Sequence, residues 1–207
     1  MSLFSDTVDK VYTLTNRSDL VAETALAVRQ ATLSAHRSDY YLRDLTEVQV
    51  SFAPALAVYQ LDIPTFFPRW RAFSYIRPFD TIASSPASFL LEFLKPEAIF
   101  DEYLIEKSDV AYVAGTNLNI KLAASYGGFL VGYYLNPILA PDASYNSWVA
   151  SDHDAIIVLD ATIKVFGMIG YEEAAARMRR LLYEAGPEGA PSEFNRFRGA
   201  QLEEHGR

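Results

Sequence analysis

Hydrophobic residues recur with a helical period at the two ends of this chain and with a strand period between them. Near the N-terminus, Asp6 to Leu14 predicts a short helix, stopped by the polar run Thr15-Asn16-Arg17-Ser18. Ser18 and Asp19 then offer caps for a second helix reaching about His36. Its interior is free of glycine and proline. Val21, Ala25 and Val28 line one face, with Ala22, Leu26 and Leu33 beside them, a broad apolar stripe that needs a partner. The obvious partner lies at the other end, in Ser147–Ala185. There Ser151 stands where an N-cap should, and Asp152 and Asp154 fall where carboxylates complement a helix dipole. Ile156, Leu159, Ile163 and Phe166 follow at three- and four-residue spacing. Gly170 ends that helix, because glycine reaches the left-handed conformation without a Cβ clash. Glu172 and Glu173 open another, whose buried face would carry Tyr171, Ala175, Met178 and Leu182, with Arg177, Arg179 and Arg180 toward its C-terminal half.

Between these ends the period changes to two. Val48, Val50 and Phe52 alternate with polar neighbours, as in a half-buried strand. Further strands are expected at 57–61, 69–77, 89–94, 98–106, 111–114, 117–123 and 128–135. Turn signals separate them: Ile63-Pro64, Phe67-Pro68, Arg77-Pro78, Ser85-Pro86, Lys95-Pro96, Gly115-Thr116-Asn117 and Tyr126-Gly127-Gly128. Short strands at this spacing favour an antiparallel sheet over βαβ units, which need crossover helices. The expected class is therefore α+β. A helical module (1–46 and 147–185) is split by an antiparallel β insertion (47–146), with a proline-bearing connector at 136–146. Beyond Ala185 the run GPEGAPSE reads as a hinge, and 186–207 as a flexible C-terminal arm whose sizeable apolar residues are Phe194, Phe197 and Leu202.

Composition narrows the function classes. Half of the 207 residues are hydrophobic and 21% are charged, enough apolar material for a real core. The net charge of -8 argues against nonspecific nucleic-acid binding, which needs clustered Lys and Arg to neutralise phosphates. With no cysteine there are no disulfides, thiolate metal sites or thiol nucleophiles. The start MSLFSDTVDK lacks the apolar core of a secretory signal. The apolar run YGGFLVGYY falls far short of the roughly 20 residues a membrane helix needs, so a soluble protein is expected.

A search for catalytic groups returns little. His36, His153 and His205 fall at a helix end, a helix start and the chain terminus, none with zinc-site spacing. Asp152-His153-Asp154 is a conceivable metal cluster, but neighbouring helical residues point in different directions and first-turn acids have an electrostatic reason to be there. The glycines at 115 and 127–128 lack a phosphate-binding lysine, and there is no GxSxG elbow. Glu92 and Asp101 could be paired on paper as glycosidase carboxylates, but with 26 acidic residues such pairs arise by chance. The expectation is no enzyme, no cofactor and no metal.

The aromatics concentrate in the β zone, where strand core accounts for most of them. Trp70, flanked by Arg69 and Arg71, suits a protein interface, and an exposed aromatic sheet would suit carbohydrate. Three segments carry a family resemblance: VYTLTNRSDLVAETALAVRQATLSAHRSDYYLRDL, AYVAGTNLNIKLAASYGGFLVGYYLNP and SWVASDHDAIIVLDATIKVFGMIGYEEAAARMRRLLYEA. In their order, covering most of residues 11–185, the chain resembles the head-to-tail connector (adaptor or neck) proteins of tailed bacteriophages. The large β zone departs from the smallest, all-helical adaptors. The resemblance implies a structural virion protein, made in the host cytoplasm, that self-associates as a ring of about twelve copies beneath the portal. It would extend the DNA channel and receive a tail or nozzle protein, binding neither membrane nor a specific nucleic-acid sequence. In such proteins a C-terminal arm docks on the portal; here Phe194 and Phe197 would be its apolar anchors and Arg196 and Arg198 its charged partners. A different tail-completion or receptor-facing virion protein is the alternative, then a hydrolase with a carboxylate-lined pocket.

Overall fold

The computed structural model describes residues 3–79, 89–100, 106–184 and 191–204. In chain order the elements are α1 (Leu3–Thr15), α2 (Val21–Arg37), β1 (Leu45–Asp62), α3 (Ile63–Phe66), β2 (Trp70–Phe79), β3 (Glu92–Phe93), β4 (Val110–Ala114), β5 (Asn117–Leu135), α4 (Trp148–Asp152), α5 (Asp154–Met168), α6 (Glu172–Tyr183) and α7 (Glu193–Glu204). The fold is α+β. Two compact units divide it: a discontinuous helical unit, Met1–Arg43 with Pro137–Arg207, and a sheet unit, Asp44–Asn136. The connector after Asn136 thus groups with the helices rather than with the β insertion.

In the helical unit α5 is central, packing on α1, α2 and α6. Its Ile156, Ile157, Ala161, Val165 and Phe166 are buried, and Leu159 packs at the core's edge. The buried face of α2 is rotated from the expected one, keeping Val28 and the edge residue Ala25 but not Val21 or Leu26. Thr24, Ala27, Val28, Ala31, Thr32, Ala35 and His36 point inward, whereas Val21 is 63% and Leu26 47% exposed. Small Ala and Thr side chains let α2 lie close against α5, and that close approach outweighs the larger apolar surface of Val and Leu. Capping differs as well. Asp19 forms a bidentate pair with Arg17, at 2.8 Å for both bonds, so Leu20 occupies the N-cap of α2 without a side-chain bond. The C-terminal hairpin breaks once more than expected: Ser147, not Ser151, caps α4, and His153 separates α4 from α5. Gly170 has φ +76° and turns the chain into α6. Ala175 and Leu182 of α6 are buried, but Tyr171 is exposed.

In the sheet unit β5 runs through the expected Tyr126-Gly127-Gly128 turn as one long strand. It persists because β1 pairs along nearly its whole length while β4 and then β2 pair on its other edge. Order β1-β5-β4-β3 holds over its first half, and β2 replaces β4 over its second. The pairings are antiparallel except β3 with β4, which is parallel, so the sheet is mixed. The two strands expected at 48–52 and 57–61 are one strand whose register shifts between Ser51 and Val58. Tyr59 pins that irregularity, accepting the Leu56 N–H at 2.8 Å and donating to the Tyr126 carbonyl. The expected Ile63-Pro64 turn is the helical turn α3, capped by Asp62. Phe67, Ile76, Leu118, Ile120, Phe129 and Val131 fill the buried face. Of the strand expected at 98–106, the described residues include a bridge between Phe100 and Glu106, and its 101–105 portion lies outside them. The same holds for the Ser85-Pro86 turn, for 185–190 of the hinge and for His205.

Candidate functional site

The residues expected to form a portal-binding arm lie on α7, which is folded onto the helical unit. Ser192 starts the helix, its hydroxyl accepting the Asn195 N–H at 3.2 Å. Phe197, one of the expected anchors, is 1% exposed. Its ring stacks on Trp148 at 5.8 Å between centroids and meets Tyr41 and His153 edge-on at 5.3 and 5.1 Å. Trp148 in turn carries the Arg43 guanidinium over its face at 4.8 Å. Phe194 is half-buried, 5.6 Å from Tyr183. Arg196 and Arg198 face outward, and Arg196 is bonded to Glu193 at 2.8 Å. The expected flexible arm is therefore, over 193–204, a docked helix. Phe197 gains more by burial among three rings of its own chain than it would in water.

Next to Phe197 lies a cavity of about 300 Å³ lined by Asp152, His153, Asp154, Ile156, Glu193 and Arg196. The acids that suggested a metal are committed to cations instead. Asp152 pairs with Arg43 and Asp154 with Lys10, each at 2.5 Å. Among the described residues no group of three His, Asp or Glu side chains could hold a metal ion.

Beneath this slot runs a polar chain that the sequence reading did not anticipate. His36 Nε2 lies 2.9 Å from Ser147 Oγ, both residues being buried. Ser147 also hydrogen-bonds Tyr145, whose hydroxyl lies 2.6 Å from Thr32 Oγ1, and Thr32 donates to the Val28 carbonyl at 2.8 Å. The chain links His36 of α2 through Ser147, whose oxygen accepts the Ala150 N–H at 3.1 Å, to Tyr145 and Thr32, and so ties α2 to the cap of α4. Burial pushes the Tyr145 phenol up, and its hydrogen bonds to Thr32 and Ser147 partly offset that. The only sequence signal for this network was an isolated Tyr-x-Ser before an apolar helix.

Glu92 is exposed at β3, and its supposed partner Asp101 lies outside the described residues. On the sheet, Trp70 is half-buried and packs on Phe73 at 5.3 Å. No helix among the described residues is long and apolar enough to cross a membrane. No family model and no curated protein matches this chain.

Proposed function

We propose that this chain is a structural virion protein of tailed bacteriophages, a connector that forms a ring between portal and tail and extends the DNA channel. One observation carries the reading. The helical unit has a complete core of its own, yet it leaves large apolar side chains outside: Leu14, Val21, Leu26, Met168 and Tyr171 are all exposed. Such a surface suits permanent assembly better than a free monomer. Arg17 reaches the Tyr171 hydroxyl, so the α1–α2 turn and the α5–α6 joint share one end of this unit. The net charge of -8 is compatible with a channel past which DNA slides without sticking. Portal contact would fall to the outward side of α7, with Arg196 and Arg198, while Phe197 holds that helix in place.

Co-sedimentation with purified portal rings, followed by electron microscopy, tests the reading. Ring-shaped complexes are expected, and Arg196→Glu with Arg198→Glu should weaken binding at least tenfold without unfolding the chain. A chain that stays monomeric and unbound at every protein concentration tested overturns the connector assignment. Rings that bind the portal regardless of the arginine reversals overturn only the role given to α7.

A further inference from the structure

β1 ends the sheet order, and among the described residues only β5 pairs with it. The outer edge of such a strand offers a row of N–H and C=O groups to any strand that fits. Proteins commonly blunt such edges with lysine, yet residues 45–62 contain neither lysine nor arginine. Two large apolar side chains stand outward on the strand, Leu56 at 47% and Val58 at 64% exposure. The edge is long, partly apolar and unguarded.

The two halves of β1 match each other. In the first half the even positions Val48 and Val50 face the core, and in the second the odd positions Tyr59 and Leu61 do. Glu47, Gln49 and Ser51, then Leu56, Val58 and Gln60, form the opposite, exposed face. This change of parity falls within the register irregularity between Ser51 and Val58, at the middle of the strand. With two copies of β1 antiparallel about a two-fold axis between Ala53 and Pro54, Val48 meets Tyr59 and Thr46 meets Leu61 on the core side. On the exposed side Ser51 meets Leu56, Gln49 meets Val58 and Glu47 meets Gln60. Had the irregularity lain off centre, part of this ladder would set core residues against solvent-facing ones. Like charges are not opposed, since Asp62 meets Leu45. Pro54, which has no N–H to give, falls at the centre, where the strand is irregular in any case.

We propose that β1 is a pairing edge for a second copy of this chain, so that two sheet units join β1 to β1 as one continuous sheet. A second copy is the fitting occupant because the centred reversal of β1 is what an antiparallel pair of identical strands requires, whereas a foreign strand requires no such symmetry. The contact is isologous and closes at two copies. It goes beyond the ring reading, which needs a head-to-tail contact, and stands independently of it.

Charges placed at Gln49 and Val58 test the register. Both residues are exposed, and Val58 lies opposite Lys121 of β5, so a carboxylate there suits the folded chain. Sedimentation velocity of the native chain should show a concentration-dependent dimer. Gln49→Glu with Val58→Glu sets carboxylates against each other across the two copies and should weaken that dimer at least tenfold. Gln49→Lys with Val58→Glu should restore it. The absence of cysteine allows a direct check. Opposed Cα atoms of an antiparallel pair lie about 4.5–5.5 Å apart, within disulfide reach. Gln49→Cys with Val58→Cys in one chain should therefore oxidise to a covalent dimer, because within one copy the two positions are about 30 Å apart along the strand. Gln49→Cys with Gln60→Cys, which is out of register, should cross-link far less. If the double-glutamate variant folds poorly, the two cysteine pairs decide. A native chain that is monomeric at every concentration, or a dimer indifferent to both charge pairs, overturns the proposal. So does a monomer whose binding to portal rings falls with Val58→Glu, which would give the edge to the portal. The connector reading is decided separately, by ring formation on the portal.

Discussion

The ring of Tyr75 occupies the space that a side chain at Gly132 would need. A Cβ built at Gly132 collides with the Tyr75 ring, because the two residues face each other across β2 and β5. Glu47 of β1 pairs with the same glycine on its other edge, and the Tyr75 hydroxyl crosses Gly132 to bond the Glu47 carboxylate. The aromatic ring thus covers backbone that glycine leaves bare, and the glycine makes room for the ring. Gly132→Ala should destabilise the chain by about 1–3 kcal/mol, the usual range for overpacking. Combining it with Tyr75→Ala should recover part of that loss, because the clash disappears. Urea unfolding of the four chains of the cycle gives the coupling, and additive losses would contradict the arrangement.

The same hydroxyl is a pH reporter. Its hydrogen bond to the Glu47 carboxylate, then burial, pushes the Tyr75 phenol up to about 12, with Arg77 pulling slightly the other way. A proton held more tightly in the folded chain adds stability that is fully present below pH 10 and fades as the pH rises toward 12. Ultraviolet titration of tyrosinate, comparing the native chain with Tyr75→Phe, should assign one late-titrating phenol to this position. Glu47→Gln should bring that phenol back toward pH 10. An unchanged titration in Glu47→Gln would mean the carboxylate is not the cause.

Replacing Phe197 distinguishes a docked helix from a loose arm. Phe197→Ala removes a fully buried ring packed on three others and should cost about 3–5 kcal/mol, whereas Arg198→Ala on the outward side should change stability by less than about 0.5 kcal/mol. The fluorescence of Trp148 should respond to the first substitution and not to the second. Equal, negligible effects from both would show that α7 does not hold to the helical unit.

Ser147 and Ser151 make a second matched pair. Ser147 caps α4 and links His36 to Tyr145, so Ser147→Ala should cost about 2 kcal/mol for the lost cap and the stranded buried groups. Ser151, exposed on the last turn of α4, bonds the Ser147 carbonyl at 3.2 Å, and its replacement by alanine should be near neutral. Thermal melts of the two variants decide the matter, and reversal of the order would restore Ser151 as the effective cap.

Sequence pattern was enough for some elements of this fold and not for others. The α+β class, the Gly170 stop and the stripe of α5 followed from local rules, since a single period and a single glycine specify them. The inward face of α2 did not, because close packing selects small side chains over bulky ones: Thr24, Ala27 and Ala31 are buried while Val21 and Leu26 remain outside. The pair Gly127-Gly128 read as a turn because its reason is non-local. Phe79 of β2 lies where a Cβ at Gly128 would go. Phe194 and Phe197 stand out in the sequence as large apolar residues, but their partners Tyr183, Trp148, Tyr41 and His153 come from other parts of the chain, and no pattern in 186–207 points to them.

The outward face of α2 supplies the last prediction. Val21 and Leu26 leave the core's completeness untouched, so Val21→Asp and Leu26→Asp should shift monomer stability by no more than about 0.5 kcal/mol. At position 21 the new carboxylate even falls in the first turn of α2, where the helix dipole favours it. Placed in an apolar contact between copies, however, the same charge would be desolvated without a partner, and ring formation on the portal should drop by a factor of about ten or more. Sedimentation of the variants with portal rings, next to melts of the free chains, reads both quantities. Full assembly by the doubly substituted chain would show that this face is not buried between copies, and the apolar surface that supports the connector reading would then need another occupant.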